Sequence, residues 1–184
     1  VAISLWLFSN AEKPNIVIIF TDDQGYADLG CYGSKTNKTP RLDQLAKEGT
    51  IFTSFYTQAV CGPSRSALLT GRYPCRSKGW GMPAGEITFA ELIKGAGYQT
   101  ACIGKWDVSN RKPIIDRMPN AQGFDYFFGA LGANDPGTIK FHLNNEAAGA
   151  SKDMGGLTTL YTDKSIDFLK NKSCLLYTSP SPRD

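Results

Sequence analysis

Apolar and polar positions fall along this chain in blocks that alternate between the spacing of strands and that of helices. "NIVIIF", residues 15–20, is a short unbroken run of β-branched and apolar residues. That is the pattern of a strand covered on both faces, and it stops at Thr21, Asp22 and Asp23. A glycine-rich loop, "QGYADLGCYGS", comes next. Thr39 then caps a helix with Pro40 at its first position, and "RLDQLAKEG" runs to Gly49 as its stop. "TIFTSFYTQAV" is strand-like, being rich in aromatic and β-branched residues. A second helix opens at Pro63 or Ser64 and closes near Gly71. A third is capped by Thr88, carries "FAELIKGAG" and hands over to the strand "YQTACIG". Beyond "GFDYFFGALGAND" the pattern loosens and is rich in Gly and Asn, so that this stretch reads as a loop at the substrate entrance or on the surface. The spacing of Leu160, Ile166, Phe168 and Leu169 then predicts a helix over 158–171. This order implies an α/β domain with a mostly parallel central sheet flanked by helices. In such sheets ligands gather at the carboxyl ends of the strands, where Asp22, Asp23, the loop before Cys61, and Lys105 all fall.

Composition narrows the class. At 184 residues the chain suffices for one domain with a real core, and 41% hydrophobic with 20% charged residues is ordinary globular usage. A net charge of +3, from scattered Lys and Arg, argues against nucleic acid as partner. The first residues, "VAISLWLFSNA", are apolar and end in the small residues Ser9 and Ala11. We read 1–11 as the remainder of a secretory signal, which places the protein in a secreted or periplasmic setting; a buried N-terminal strand is the alternative. A membrane span, which needs about 20 apolar residues, is not expected. The segment 174–184, "CLLYTSPSPRD", breaks the preceding composition and reads as a frayed or non-native tail, which leaves 12–173 as the N-terminal part of a catalytic domain. Five cysteines without a CxxC pair argue against a zinc ribbon, and some could pair as disulfides.

Five positions carry candidate chemistry. Asp22 and Asp23 are adjacent carboxylates that repel unless a cation or strong donors lie between them, and such hard oxygens suit calcium or magnesium. The plainer alternative is a turn cap beside a solvated aspartate. Cys61, just ahead of a helix, sits where a helix N-terminus favours anions, and Arg65 one turn on could reach the same point. A cysteine nucleophile with a histidine base is weakly supported, since His142 is the one histidine. Lys105, at the end of a predicted strand, can meet an anion as a point charge, although a solvated surface lysine is the commoner case.

Taken together, "KPNIVIIFTDDQGYADLGCYG", "TPRLDQLAKEGTIFTSFY", "CGPSRSALLTGRYP", "ITFAELIKGAGYQTACIGKW" and "GFDYFFG" resemble, in order, the segments of the type I sulfatases of the alkaline phosphatase superfamily. The likeness runs from Lys13 to about Lys172. The resemblance implies an alkaline-phosphatase-like sulfatase fold, here incomplete. It also implies hydrolysis of sulfate esters, with sulfated carbohydrates favoured as substrates. Cys61 would be oxidised to Cα-formylglycine by the formylglycine-generating enzyme, which reads the Pro and Arg behind it. By the same resemblance Asp22, Asp23 and residue 61 would hold one calcium ion, Arg65 would hold the formylglycine oxygen, and Lys105 would grip the sulfate. Two departures stand out. Many members have His, Leu and Gly after "GKW" where this chain has Asp107, Val108 and Ser109, and His142 is the residue available to fill that gap. The family's later segments, with further metal ligands, a second histidine and another lysine, have no match, so the chain as given is expected to be inactive. The alternatives are a phosphonate or phosphodiester hydrolase of the same superfamily and a catalytically silent binder of sulfated glycans.

Overall fold

The structure, a computed structural model, describes residues 13–133 and 137–171. The expectations for 1–11, for the 174–184 tail and for Cys174 therefore lie outside the described residues. Among the described residues five α-helices and four strands follow in chain order: α1 (Pro40–Glu48), α2 (Cys61–Thr70), α3 (Pro74–Ser77), α4 (Phe89–Gly95), β1 (Ala101–Lys105), β2 (Tyr126–Ala130), β3 (Ile139–Leu143), β4 (Glu146–Ser151) and α5 (Leu157–Asn171).

The helix starts follow from local chemistry. At α4 the Thr88 hydroxyl accepts from the Glu91 amide at 3.2 Å while the Glu91 carboxylate accepts from the Thr88 amide at 2.8 Å, which satisfies two orphan donors at once. At α1 Thr39 turns its hydroxyl elsewhere. It donates to Asp43 at 2.9 Å and accepts from the Gly30 amide at 2.8 Å, tying this helix to the loop ahead of it. The start of α2 corrects the expectation of Pro63 or Ser64, because the helix opens at Cys61. Pro63 is its third residue, where a backbone N–H would have no intrahelical partner and its loss costs nothing. Gly71, in the left-handed region at φ 64, closes α2 as expected.

The sheet has the order β1-β2-β3-β4, with a parallel ladder between β1 and β2 and antiparallel ladders beyond. Helices lie on both of its sides. On one side Phe127 packs with Leu69 of α2, Ala90 of α4, Met82, Trp106, Val108, Met118 and Phe124. On the other, Phe128 and Ala130 pack with Ile139, Phe141 and Leu157 of α5. Alternate residues of β2 thus serve two cores, and each large side chain fully buried there contributes about 1.5–3 kcal/mol. The α/β class and the flanking helices are as expected and the helix predicted over 158–171 is α5, but among the described residues the sheet is mixed rather than mostly parallel, because β2, β3 and β4 follow one another through short connections that reverse the chain.

Three segments differ from expectation. Residues 15–20 form no strand, and Ile16, Val17, Ile18 and Ile19 are about half or more exposed. The segment 50–60 also lacks a strand, with Phe52, Phe55 and Tyr56 exposed. An unbroken apolar run becomes a strand only when neighbours pair its edges and cover its faces, and no described element does so here. The Gly- and Asn-rich stretch expected as a loop instead supplies β3 and β4, which meet at Asn144-Asn145. Asn144 is at φ 54, a conformation that Asn tolerates in tight hairpin turns. Cys31, Cys61, Cys75 and Cys102 are all free thiols, so no disulfide forms among the described residues.

Candidate active site

The site forms where α2 begins, β1 ends and the loop after residue 20 passes. Cys61 is the first residue of α2, and its thiol donates to the Asp107 carboxylate at 3.0 Å. Lys105, the last residue of β1, has a side chain only 5% exposed. Its Nζ lies 2.9 Å from Asp22 Oδ2 and 3.7 Å from Asp107 Oδ2. Arg65, one turn beyond Cys61, donates to the Lys105 carbonyl at 2.7 Å, lies 3.4 Å from Asp22 Oδ1, and rests over the Phe20 ring.

These contacts shift both members of the central ion pair. Burial by itself would raise the Asp22 carboxyl, but the hydrogen bond and charge of Lys105, with Arg65 behind them, hold it below its ordinary value. Burial by itself would lower Lys105, but Asp22 and the neighbouring Cys61 side chain push it above the usual lysine value. Each group is thereby kept charged.

Asp107 comes from a strained loop. The chain leaves β1 alongside β2, with Trp106 N donating to Ala130 O and Asp107 N to Leu131 O. Asp107, Asn110 and Arg111 all have positive φ, at 57, 54 and 58, a region L residues other than Gly rarely occupy. The Asp107 side chain is fully buried and accepts from Trp80 Nε1 at 3.1 Å and Arg111 Nε at 2.9 Å. The Trp80 ring packs closely on Gly62 of α2: a Cβ on Gly62 would come within 2.0 Å of the indole.

Sequence reasoning named Asp22, Cys61, Arg65 and Lys105, and the structure brings all four together. Asp23 follows at φ 51 and makes no hydrogen bond or ion pair among the described residues. His142 does not fill the gap beside Cys61. It sits on β3 opposite Gly129 of β2, two strand spacings or about 10 Å across the sheet from β1, and its buried Nδ1 has no partner among the described residues. The place beside Cys61 is occupied by Asp107. Trp80 and Arg111 had not been singled out; the Arg four residues after Asp107 was a signal in the sequence, whereas Trp80 reaches the site only through the fold.

A family model described as Sulfatase matches residues 14–180. The chain belongs to the sulfatase family. It is similar to arylsulfatase A of Homo sapiens, 46% identical over 138 residues that make up 69% of this chain and 27% of that protein. Steryl-sulfatase of Homo sapiens is 42% identical over 138 residues, 65% of this chain and 24% of that protein. The chain thus spans about a quarter of the length of these curated relatives. Among solved structures it is similar to Ps i-CgsB, with a TM-score of 0.76 and 29% identity over 87% of this chain and 42% of that one. It is also similar to BT4656 in complex with its substrate D-glucosamine-2-N,6-O-disulfate, with a TM-score of 0.73 and 32% identity over 88% of this chain and 32% of that one.

The donor set in this sulfatase-family chain suits a hard divalent cation in kind. Asp22 and Asp23 are adjacent oxygen donors on an open loop, and Asp22 is joined to Cys61 through Lys105 and the Asp107 carboxylate. In number the set is short, because no group of three or more His, Cys, Asp or Glu converges as a metal shell among the described residues. Also among them, no helix is long and apolar enough to cross a membrane.

Proposed function

We propose that the whole protein hydrolyses sulfate esters, with sulfated carbohydrates as its substrate class, through a formylglycine made from Cys61 and beside one calcium ion held by Asp22, Asp23 and residue 61. The observation that carries this reading is that residue 61, at the first turn of α2, meets the same Asp107 carboxylate as the nearly buried Lys105, which Asp22 holds from its other side, in a chain of the sulfatase family. The substrate class is supported by the neighbours BT4656, solved with a disulfated glucosamine, and Ps i-CgsB, solved with a neocarrahexaose.

Modified and hydrated, residue 61 would supply a hydroxyl nucleophile for sulfur, and the cation would ease loss of its proton. The other tasks fall to the chain's own side chains. Lys105, held charged and desolvated by its neighbours, binds a sulfate oxygen as the ester enters, where a fixed positive charge acts more strongly than in water. Arg65 fixes the β1 terminus through the Lys105 carbonyl and keeps Asp22 turned toward the site. Asp22 orients Lys105. Export to a secreted or periplasmic setting and maturation by the formylglycine-generating enzyme belong to the same reading.

One observation favours a second reading. The Cys61 thiol already has a buried carboxylate as hydrogen-bond acceptor, an arrangement that fits an unmodified cysteine in a silent sulfated-glycan binder. The test uses the full-length protein produced in a host with the modifying enzyme. Peptide mass spectrometry reads residue 61, and release of sulfate from an aryl sulfate is assayed alongside. An aldehyde at residue 61 with sulfate release is expected. An intact thiol without turnover would overturn the proposal in favour of the binder.

A further inference from the structure

We propose that Asp107 is a specificity-determining residue, whose buried carboxylate disfavours doubly charged phosphate monoesters relative to singly charged sulfate monoesters. The inference rests on the reading of this corner as the place where an anionic ester binds. Around it run five charges in alternating order, Arg65, Asp22, Lys105, Asp107 and Arg111, each within 4 Å of the next. A corner built only to grip anions would gain from a neutral or cationic group at position 107. Instead the chain spends three left-handed non-glycine residues within five positions, at 107, 110 and 111, to deliver a carboxylate there. Trp80 Nε1 and Arg111 Nε then hold that carboxylate in place.

The geometry bounds how strongly a ligand feels it. An ester oxygen bonded to Lys105 Nζ at about 2.8 Å can lie no farther than about 6.5 Å from Asp107 Oδ2, because those two atoms are 3.7 Å apart. At that distance each additional negative charge on the ligand weakens binding by about 3-fold under water-like screening and about 70-fold at the effective dielectric of a protein site. Asp107 is fully buried, so its field is the less screened, whereas the Arg111 side chain that partly offsets it is 50% exposed. A sulfate monoester carries one negative charge and a phosphate monoester close to two above neutral pH. Group transfer moves charge within the ester without changing its total, so the one-charge difference persists into the transition state and acts on kcat/KM.

The test compares kcat/KM for an aryl sulfate and an aryl phosphate of the same phenol in the full-length protein, and in its Asp107→Asn and Arg111→Gln variants. Asp107→Asn is expected to lower the sulfate-to-phosphate ratio by at least about threefold, and by about 70-fold or more where the site is screened only as a protein interior. Arg111→Gln, which unmasks the carboxylate, should raise it, and as a half-exposed substitution it keeps the question decidable if Asp107→Asn does not fold. Binding of benzenesulfonate and benzenephosphonate, measured by calorimetry at a pH where the phosphonate is doubly ionised, reads the same preference without turnover. A ratio that moves by less than about threefold in both assays, or that moves the opposite way, overturns the proposal. Failure of the wild type to release sulfate would instead remove the sulfatase reading, and the two binding constants would still decide the role of Asp107.

Discussion

Replacing Gly62 by Ala adds a single methyl group at the point where α2 meets Trp80. The new carbon would stand 2.0 Å from Trp80 Cδ1 and 2.1 Å from Nε1, and Trp80 cannot stay where it is. Displacing the ring breaks its hydrogen bond to the buried Asp107 carboxylate, a charge-assisted bond of about 1.5–3 kcal/mol. Crowding a packed contact adds about 1–3 kcal/mol. Against these stands the gain in helix propensity of Ala over Gly, at most about 1 kcal/mol and less in a first turn. The balance is a loss of about 2–5 kcal/mol. Denaturant unfolding of the full-length protein, followed by circular dichroism, measures it. The same substitution should then be made in a Trp80→Ala background, where the three atoms nearest the new methyl are gone and most of the cost of Gly62→Ala should disappear. Coupling of this kind is what a double-mutant cycle isolates. An equal cost in both backgrounds, or none in the wild type, would refute the reasoning.

Two further predictions concern the ion pair and the metal. Because the folded Asp22 carboxyl lies below its ordinary value, its stabilisation is present above about pH 4 and is lost as the pH falls through the folded value; because Lys105 lies above its ordinary value, its stabilisation is present below about pH 10.4 and is lost as the pH rises further. Chelator-treated protein should therefore show a stability plateau through neutrality, and Asp22→Asn should flatten its acid flank; an acid flank unchanged in that variant counts against the pairing. Removal of divalent cations should abolish sulfate release from the full-length enzyme, with calcium restoring it, and Asp23→Asn should raise the calcium concentration required at least about tenfold. Activity indifferent to chelation would exclude Asp23 as a ligand.

Local signals carried much of this fold, and the places where they failed share a cause. The Thr88 cap, the Pro40 start, the Gly71 stop and the spacing of Leu160 to Leu169 are chemistry confined to a few neighbouring residues, and each predicted its helix. The meeting of Cys61, Arg65 and Lys105 was legible because the first two lie in the opening turns of α2 and Lys105 ends β1, points that α/β topology collects, whereas Asp22 reaches the same place although no strand forms ahead of it. Trp80 was not legible, because its role depends on the absence of a side chain at Gly62, eighteen positions away. Asp107 was visible as a residue, but its aim toward Cys61 comes from left-handed backbone, which Asp tolerates but which no local pattern placed at that position. The strands β3 and β4 were hidden in a stretch of Gly, Asn and Ala, and their pairing rests on register against β2 more than on composition.

The open ribbon at residues 15–20 has a practical consequence. Four consecutive branched aliphatic side chains there meet water, and their backbone joins no ladder among the described residues. Such a segment is a ready template for pairing with its own copy in another molecule, since low charge and high β-propensity favour intermolecular stacking. Handled by itself at high concentration, the chain should turn turbid before it melts, and a lysine placed at Val17 should keep it clear.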